Sequence, residues 1–292
     1  MRKKDNLTGF LFILPALIVL LTVVFYPLLW TFWLSFQEKI LIAPQRDGFI
    51  GVEHYQGIFQ SDVFWRFLGI TLIFTLSSVA IKIIFGLVGA LLLNKNHPGT
   101  NVYWSILVIP WLIPSVVGAL IWRWMLHEQF GIINRVFVHL GVLESAVPWL
   151  SREFTALLSV IIVDAWVGLP FMIIVFLAGL KTIPSTLYEA AKVDGAGFFQ
   201  QLRFVTIPGL KSVLLVMGTL SLIGTFNSFN IIYAMTGGGP VNATNTLVIH
   251  IYRTAFTQYN FGLASALAVV TFIIISCFVI FYIRQLDKEG EM

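Results

Sequence analysis

The chain has 292 residues, of which 58% are hydrophobic and only 11% are charged, and its formal net charge is +4 at pH 7. Because soluble domains carry about 25% charged residues, this composition excludes an ordinary soluble protein and is typical of a chain embedded in a bilayer. No basic, aromatic-rich polar surface accompanies the small positive charge, so we expect no nucleic-acid partner.

Six apolar stretches are each long enough to cross the roughly 30 Å hydrocarbon core, which takes about 20 residues. They lie near residues 10–36, 68–94, 103–126, 156–180, 210–235 and 260–284. The first has the basic start of a signal peptide, but it is too long and ends without a small-residue cleavage site, so we interpret it as a retained helix. The sequence therefore predicts an all-α membrane protein with six transmembrane helices in a single domain, residues 1–292.

Charged residues interrupt the second and fourth stretches, where each is costly. Lys82 could pair with Asp164, snorkel to the interface or face the interior of the helix bundle, and the sequence does not separate these possibilities. Asp164 also begins a stripe at i, i+3, i+4 and i+7 that continues with Val167, Gly168 and Phe171. In the same stretch Pro170 removes a backbone hydrogen bond and predicts a kink or hinge.

A charged segment, residues 181–209, separates the fourth and fifth stretches. Pro184 and the T-x-x-E spacing of Thr186 and Glu189 predict a helix that begins near Ser185 or Thr186. Gly195 and Gly197 can end it, and a second short helix should run from about 198 to 206. The apolar side chains of the two helices need a surface to pack against, either the lipid headgroups or a partner protein. These residues are Leu187, Tyr188, Ala191, Phe198, Phe199, Leu202 and Phe204.

The fifth stretch carries a second stripe with the same spacing, made of Ser221, Gly224, Thr225 and Ser228. Two such stripes could present hydroxyl groups, a carboxylate and an aromatic ring to a neutral polyol across a cavity. Small residues and hydroxyls also let helices pack closely, and the pattern alone favours that explanation. Further candidates for ligand contact are Phe226, Asn227 and Asn230.

Lysine and arginine residues near span ends tend to stay cytoplasmic, and their distribution predicts both termini on that side. The cytoplasmic set is Arg2, Lys3, Lys4, Lys95, Lys181, Lys192, Arg203, Lys211, Arg284 and Lys288. The smaller opposite set is spread over longer loops and comprises Lys39, Arg46, Arg66, Arg135, Arg152 and Arg253.

Patterns of catalytic chemistry are absent from the sequence. The chain contains no Gly-Lys pair and therefore no phosphate-binding P-loop, and neither G-x-S-x-G nor H-E-x-x-H occurs. The five histidines lack metal-ligand spacing, and the single Cys277 cannot form an internal disulfide. We expect no enzyme, no metal and no cofactor on this chain, so any ATP must be bound by another chain.

The string "EAAKVDGAGFFQQLRFVTIP" resembles the EAA loop of ATP-binding-cassette (ABC) importer permeases, and its ending has Ile207 in place of the usual leucine. The six-stretch layout resembles that family as well. "MTGGGPVNATNTL" (235–247) and "FIGVEHYQGIF" (49–59) are similar to segments of the carbohydrate-uptake branch, which includes maltose, oligosaccharide and glycerol-phosphate permeases. His54 stands where that branch usually has asparagine.

The resemblance implies a type I ABC importer permease in a bacterial or archaeal cytoplasmic membrane. It implies a multi-pass subunit for a sugar, oligosaccharide or polyol, working with a second and probably different permease chain, an extracytoplasmic substrate-binding protein, and two ATPase subunits that bind ATP and Mg. The positions it carries over to ATPase coupling are Tyr188, Glu189, Ala190, Ala191, Asp194 and Gly195. The positions near the expected sugar site are Asp164, Val167, Gly168, Phe171, Ser221, Gly224, Thr225, Phe226, Asn227 and Ser228.

Two other functions were weighed against this one. A self-contained secondary carrier or channel would use Asp164 and Lys82 as an ion relay and would need no ATPase. Intramembrane proteolysis through Asp164 is disfavoured, because that chemistry requires two carboxylates and only one buried aspartate is visible.

Overall fold

A computed structural model describes residues 12–94 and 100–290. Part of the orientation prediction lies outside these residues, namely the basic residues Arg2, Lys3, Lys4 and Lys95, and so do the first two residues of the first predicted stretch. The described chain divides into two compact units. The first contains the described residues up to Trp65 together with His250–Ile274, and the second contains Arg66–Ile249 and the described residues from Ile275 onward.

Helices dominate the described residues, as the apolar composition predicts. In chain order they are α1 (Phe12–Leu34), α2 (Glu53–Gln60), α3 (Asp62–Leu93), α4 (Thr100–Leu112), α5 (Ser115–Met125), α6 (Ile132–His139), α7 (Glu153–Thr182), α8 (Ser185–Val193), α9 (Phe198–Gly209), α10 (Lys211–Phe226), α11 (Asn230–Met235), α12 (Leu247–Phe256) and α13 (Phe261–Gly290). Two short antiparallel strands, β1 (Gln37–Glu38) and β2 (Gly48–Phe49), follow α1.

Four of the described helices contain a straight segment long and apolar enough to cross a bilayer: Phe12–Leu34, Asp62–Leu93, Glu153–Thr182 and Phe261–Ile280. Two bent pairs also qualify by length and composition. Val102–Leu112 and Ser115–Met125 meet at 101°, and Phe198–Gly209 and Lys211–Phe226 meet at 70°. Counting each pair as one span gives up to six, so the third predicted stretch is a broken helix rather than a straight one.

Proline explains where the chain bends. Pro114 caps the start of α5 with an extended backbone, which ends α4 two residues earlier, and Pro208 lies next to the bend between α9 and α10. Pro170, in contrast, lies inside α7 without interrupting it. The fifth predicted stretch is also divided, because α10 ends at Phe226 and α11 begins only at Asn230.

The second unit has its core around α7, whose residues from Ala156 to Leu180 supply buried side chains along most of the helix. One cluster joins Val160, Ile161 and Val163 to Phe74 of α3 and to Ile231 and Ile232 of α11. A second cluster joins Met172, Phe176 and Leu177 to Ala90, Leu210 and Met217. Helix α7 is therefore the central helix of this unit, and its residues between the two clusters are those of the predicted stripe.

In the first unit, hydrogen bonds fasten the strand pair to the start of α13. The Leu41 amide donates to the Tyr259 carbonyl, and the Phe261 amide donates to the Lys39 carbonyl, at 3.0 and 2.8 Å. His54 donates through Nε2 to the Gln37 carbonyl at 3.1 Å. The histidine that departs from the family pattern thus holds β1 in place.

Candidate functional site

A buried ion pair joins α3 to α7. The Nζ atom of Lys82 lies 2.5 Å from Oδ2 of Asp164, and the two residues are only 7% and 5% exposed. Ser78, one turn before Lys82 on α3, donates to the same carboxylate oxygen at 2.5 Å. Of the possibilities left open for Lys82, the structure shows direct pairing with Asp164.

Two hydroxyl groups complete this cluster from the fifth stretch. Lys82 Nζ donates to Thr225 Oγ1 at 2.9 Å, and Ser228 Oγ donates to Asp164 Oδ1 at 3.2 Å. Ser228 does not continue the predicted helical stripe, because α10 has already ended, with the Asn227 side chain bonded to the Ile223 carbonyl. Such side-chain bonds to the backbone compete with helix continuation, and the break lets Ser228 reach Asp164.

Beside the ion pair lies a cavity of about 280 Å³. Seven residues of the two predicted stripes line it: Asp164, Val167, Gly168, Phe171, Ser221, Gly224 and Thr225. The other predicted contacts lie outside that lining. Phe226 is 1% exposed, Asn227 and Ser228 make the bonds described above, and Asn230 contacts Ser115 at 3.5 Å. The two predicted stripes thus line a cavity, whereas the pattern alone favours helix packing as its explanation.

Sequence reasoning missed several residues of this site. Besides Lys82, which the sequence analysis noted only as a buried charge, Trp111, Met172, Met217 and Leu220 also line the cavity. The Trp111 ring stacks on Phe171 with centroids 5.9 Å apart. The spacing of Ser78 and Lys82, four residues apart on one helix face, was a readable signal for a polar patch on α3. The spacing of residues along one helix could not predict that Trp111 lines the cavity, because the position of its ring depends on the break between α4 and α5.

Gly168 makes room for the lysine. A Cβ atom built at this position would lie 2.8 Å from Lys82 Cε and 3.3 Å from Nζ, which is too close without movement of the side chain. At Gly224, on the other lining helix, a Cβ would meet nothing within 4 Å. The first glycine is therefore required by the lysine's path, whereas the second only enlarges the cavity.

The segment at 185–209 forms the two predicted helices, α8 and α9. Helix α8 starts at Ser185, as expected, but no side chain caps it, so the predicted capping box of Thr186 and Glu189 does not form. Pro184 occupies the N-cap position with an extended backbone and so places the chain for the first turn. Glu189 is exposed and has no hydrogen bond or ion pair to another described residue.

One backbone conformation and two hydrogen bonds define the shape of this segment. Gly195 has φ +79°, a left-handed value that ends α8. The Gln201 side chain donates to the Ala196 carbonyl at 2.7 Å, and the hydroxyls of Tyr188 and Thr206 lie 3.1 Å apart. Large apolar side chains remain outside: Leu187 50%, Val193 88%, Phe198 59%, Phe199 79% and Phe204 70% exposed. The segment is a pair of helices joined by hydrogen bonds, with an uncovered apolar surface.

The segment at 235–247 is a compact turn with a cis Gly239-Pro240 bond. The hydroxyls of Thr236 and Thr244 lie 2.6 Å apart, and Thr244 also donates to the Gly239 carbonyl at 2.7 Å. Thr236, Gly239 and Pro240 line a cavity of about 640 Å³ together with Arg123, His127, Glu128 and Trp149, among others. Among the described residues no group of three or more histidine, cysteine or carboxylate side chains could hold a metal ion.

Residues 82–288 match the family described as the binding-protein-dependent transport system inner membrane component. The chain belongs to this family. Among its relatives, the trehalose/maltose transport system permease protein MalF of Thermococcus litoralis is 36% identical over 287 residues, covering 97% of this chain and 95% of the relative. The sulfoquinovosyl glycerol transport system permease protein SmoG of Agrobacterium fabrum is 34% identical, covering 96% and 90%.

A solved structure of a bacterial ABC transporter for import of the acidic polysaccharide alginate has the same fold, with a TM-score of 0.83 at 22% identity, covering 98% of this chain and 96% of that one. This binding-protein-dependent permease is thus an inner-membrane subunit of an ABC importer with the type I fold. It is a transport component, and the ATPase is a separate chain. Membership of the family supports the importer over the self-contained carrier.

Proposed function

We propose that this permease passes a sugar, oligosaccharide or polyol through the cavity between α7 and α10. The supporting observation is the cavity lining, which sets Ser221, Thr225 and the Lys82–Asp164 pair beside the Trp111–Phe171 stack. A hydroxylated ligand can bind by hydrogen bonds to such polar groups and by packing its apolar face on the aromatic rings. The names of relatives agree, since they include transporters of trehalose/maltose, sulfoquinovosyl glycerol and diacetylchitobiose. The predicted contacts Val167, Gly168, Phe171 and Gly224 shape the walls.

The second part of the proposal concerns α8, which docks on an ATPase subunit. Its uncovered apolar surface, with the unpaired carboxylate of Glu189, fits a protein cleft with a basic residue better than a lipid surface. The coupling residues remain those predicted from the sequence: Tyr188, Glu189, Ala190, Ala191, Asp194 and Gly195. Two ATPase subunits bind ATP and Mg, and their closure moves α8 and α9.

A complete importer requires further chains. Helices of one permease line only half of a pathway, so we propose a second, different permease chain and an extracytoplasmic binding protein that delivers the substrate. One neighbour of the same fold is described as the alginate transporter in complex with a pentasaccharide-bound periplasmic protein. We place both termini of this chain in the cytoplasm of a bacterium or archaeon. Many large apolar side chains of the spans are exposed and so available to lipid or to the second permease.

The test is reconstitution of the permease pair, the ATPase and the binding protein in liposomes, comparing Glu189→Lys with Glu144→Lys. Both glutamates are exposed, but Glu144 lies in the loop after α6, which the orientation prediction places on the opposite side. We expect Glu189→Lys to abolish ATPase co-purification and transport and Glu144→Lys to preserve both. Transport of substrate by this chain alone, driven by an ion gradient, would show that it is a carrier instead.

A further inference from the structure

The cavity is electrically balanced by the Lys82–Asp164 pair. Of the described residues that line it, these two are the charged ones, and the remaining lining is apolar or carries a neutral hydroxyl. Their charges are opposite and in direct contact. A ligand that enters this cavity therefore meets polar groups but no net charge.

Each member of the pair keeps one hydrogen-bonding position that no described residue fills. Asp164 accepts three of the roughly four hydrogen bonds that a carboxylate can accept, from Ser78 and Lys82 on Oδ2 and from Ser228 on Oδ1. The Lys82 ammonium has three N–H donors and gives two of them, to Asp164 and Thr225. One donor is left without a described partner on a side chain that lines the cavity. The lysine is thus able to donate a hydrogen bond to a ligand.

We infer that Lys82 donates a hydrogen bond directly to the transported molecule and that the pair selects uncharged, hydroxylated ligands. This inference rests on the proposed function and narrows its substrate class. A hydroxyl oxygen can accept a charge-assisted bond from the ammonium without bringing a charge of its own. A carboxylate or ammonium on the ligand would lose its hydration in a cavity that offers no free counter-charge.

Removing one member of the pair should therefore change which ligand charge the cavity prefers. In Asp164→Asn the amide oxygen can still accept from Ser78 and Lys82 while its NH2 group donates to Ser228, but the lysine's charge is left uncompensated, so an anionic sugar supplies the missing counter-charge. In Lys82→Met the carboxylate is left alone, so an amino sugar is favoured. The two variants are predicted to shift selectivity in opposite directions, which a merely structural role of the pair would not produce.

The experiment measures ligand-dependent thermal stabilisation of the detergent-solubilised importer complex, with three disaccharide probes: neutral trehalose, anionic maltobionate and the cationic glucosamine dimer. Wild type is expected to respond at the lowest concentration to trehalose. A charged hydrogen bond contributes about 1.5–3 kcal/mol, which corresponds to about a 10- to 100-fold change in half-saturating concentration. We expect Asp164→Asn to favour maltobionate, and Lys82→Met the glucosamine dimer, by about that ratio.

Ser221→Ala is the matched control, because Ser221 lines the same cavity without contacting the pair; it should weaken binding without changing the order of the probes. If either single variant fails to fold, the double variant Lys82→Met with Asp164→Leu should fold, keep its preference for trehalose over both charged probes and bind it more weakly than wild type. Unchanged probe order in a folded single variant, or undiminished trehalose binding in the double variant, overturns the inference. A wild type that no sugar stabilises contradicts the proposed function itself.

Discussion

At the scale of single residues, the buried charges in the second unit's core are explained by their partners. Burying one charge without its counter-charge costs several kcal/mol, and α3 and α7 avoid this cost by placing Lys82 against Asp164. Ser78, Thr225 and Ser228 add further hydrogen bonds to the pair. The arrangement is stable only as a set, so replacing any one member should affect the others.

Gly168→Ala tests the path of the lysine. The new Cβ would lie 2.8 Å from Lys82 Cε, so the side chain must move and its bonds to Asp164 and Thr225 lengthen. We expect about a tenfold loss of transport, the equivalent of about one charged hydrogen bond. Gly69→Ala, on α3 and outside the cavity lining, is the control, because its Cβ meets nothing within 4 Å. Equal losses in initial transport rate for the two variants would contradict this explanation.

The lowered pKa of His250 leads to a second prediction at the residue scale. Burial, aided by the nearby Arg253 charge, lowers the pKa of its imidazole below the ordinary value of 6.5. The unfolded chain therefore binds this proton at a higher pH than the folded chain does, so the stability gained above pH 6.5 is lost as pH falls through the folded pKa. His250→Asn should reduce the loss of thermal stability between pH 7.5 and about pH 5. An identical pH profile in the variant would show that another group is responsible.

At the scale of elements, the sequence predicted which segments form helices better than it predicted where those helices break. The two short helices of the 181–209 segment, the Gly195 turn and the stripe on α7 all followed from local rules. The break at Ile113-Pro114 has a local signal in its proline, but a reading by apolar content does not show it, because that content is the same on both sides. The break at Asn227–Phe229 is missed by apolar content for the same reason. The cavity's other residues, Trp111 and Met217 among them, depend on packing between helices that no single-helix pattern records.

The turn after α8 gives an element-scale prediction. Gly195 has φ +79°, where an L side chain costs about 1–2 kcal/mol, although the space around its Cβ position is open. Gly195→Ala should loosen the α8–α9 pair and accelerate hydrogen exchange of amides in residues 185–209. Gly197→Ala is the comparison, since φ there is −71° and the nearest atom to a Cβ is 3.9 Å away. If the two variants exchange alike, the backbone conformation of Gly195 is not what fixes the segment.

At the scale of the whole molecule, α10 connects the two proposed functional regions. It has 16 residues and is therefore about 24 Å long, with the α9 bend at one end and Thr225 of the cavity near the other. Close to its start, Leu210 packs against Gly179 of α7, where a Cβ would lie 2.8 Å from Leu210 Cδ2. Movement of α8 and α9 could therefore reach the ion pair through one rigid helix.

Gly179→Val should interrupt this connection. Overpacking typically costs about 1–3 kcal/mol and here would push α10 away from α7 at the end nearest the coupling segment. We expect ATPase docking to persist while transport per ATP hydrolysed falls. Ala178→Val is the control, because Ala178 is exposed. The measurement is the ratio of transported substrate to phosphate released in liposomes, and an unchanged ratio would show that α10 does not carry the coupling.

Helix α1 differs from the other spans in having no buried residue along Phe12–Leu34. Lipid tails are as apolar as leucine side chains, and apart from Trp33, which stacks on Phe49 with ring centroids 6.1 Å apart, burial within the chain does not restrict which apolar residue stands at each position. Over generations such a helix should accumulate exchanges among leucine, isoleucine, valine and phenylalanine much faster than α7. A version with the same composition in scrambled order should still insert, and any position that resists scrambling would identify a surface recognised by another subunit.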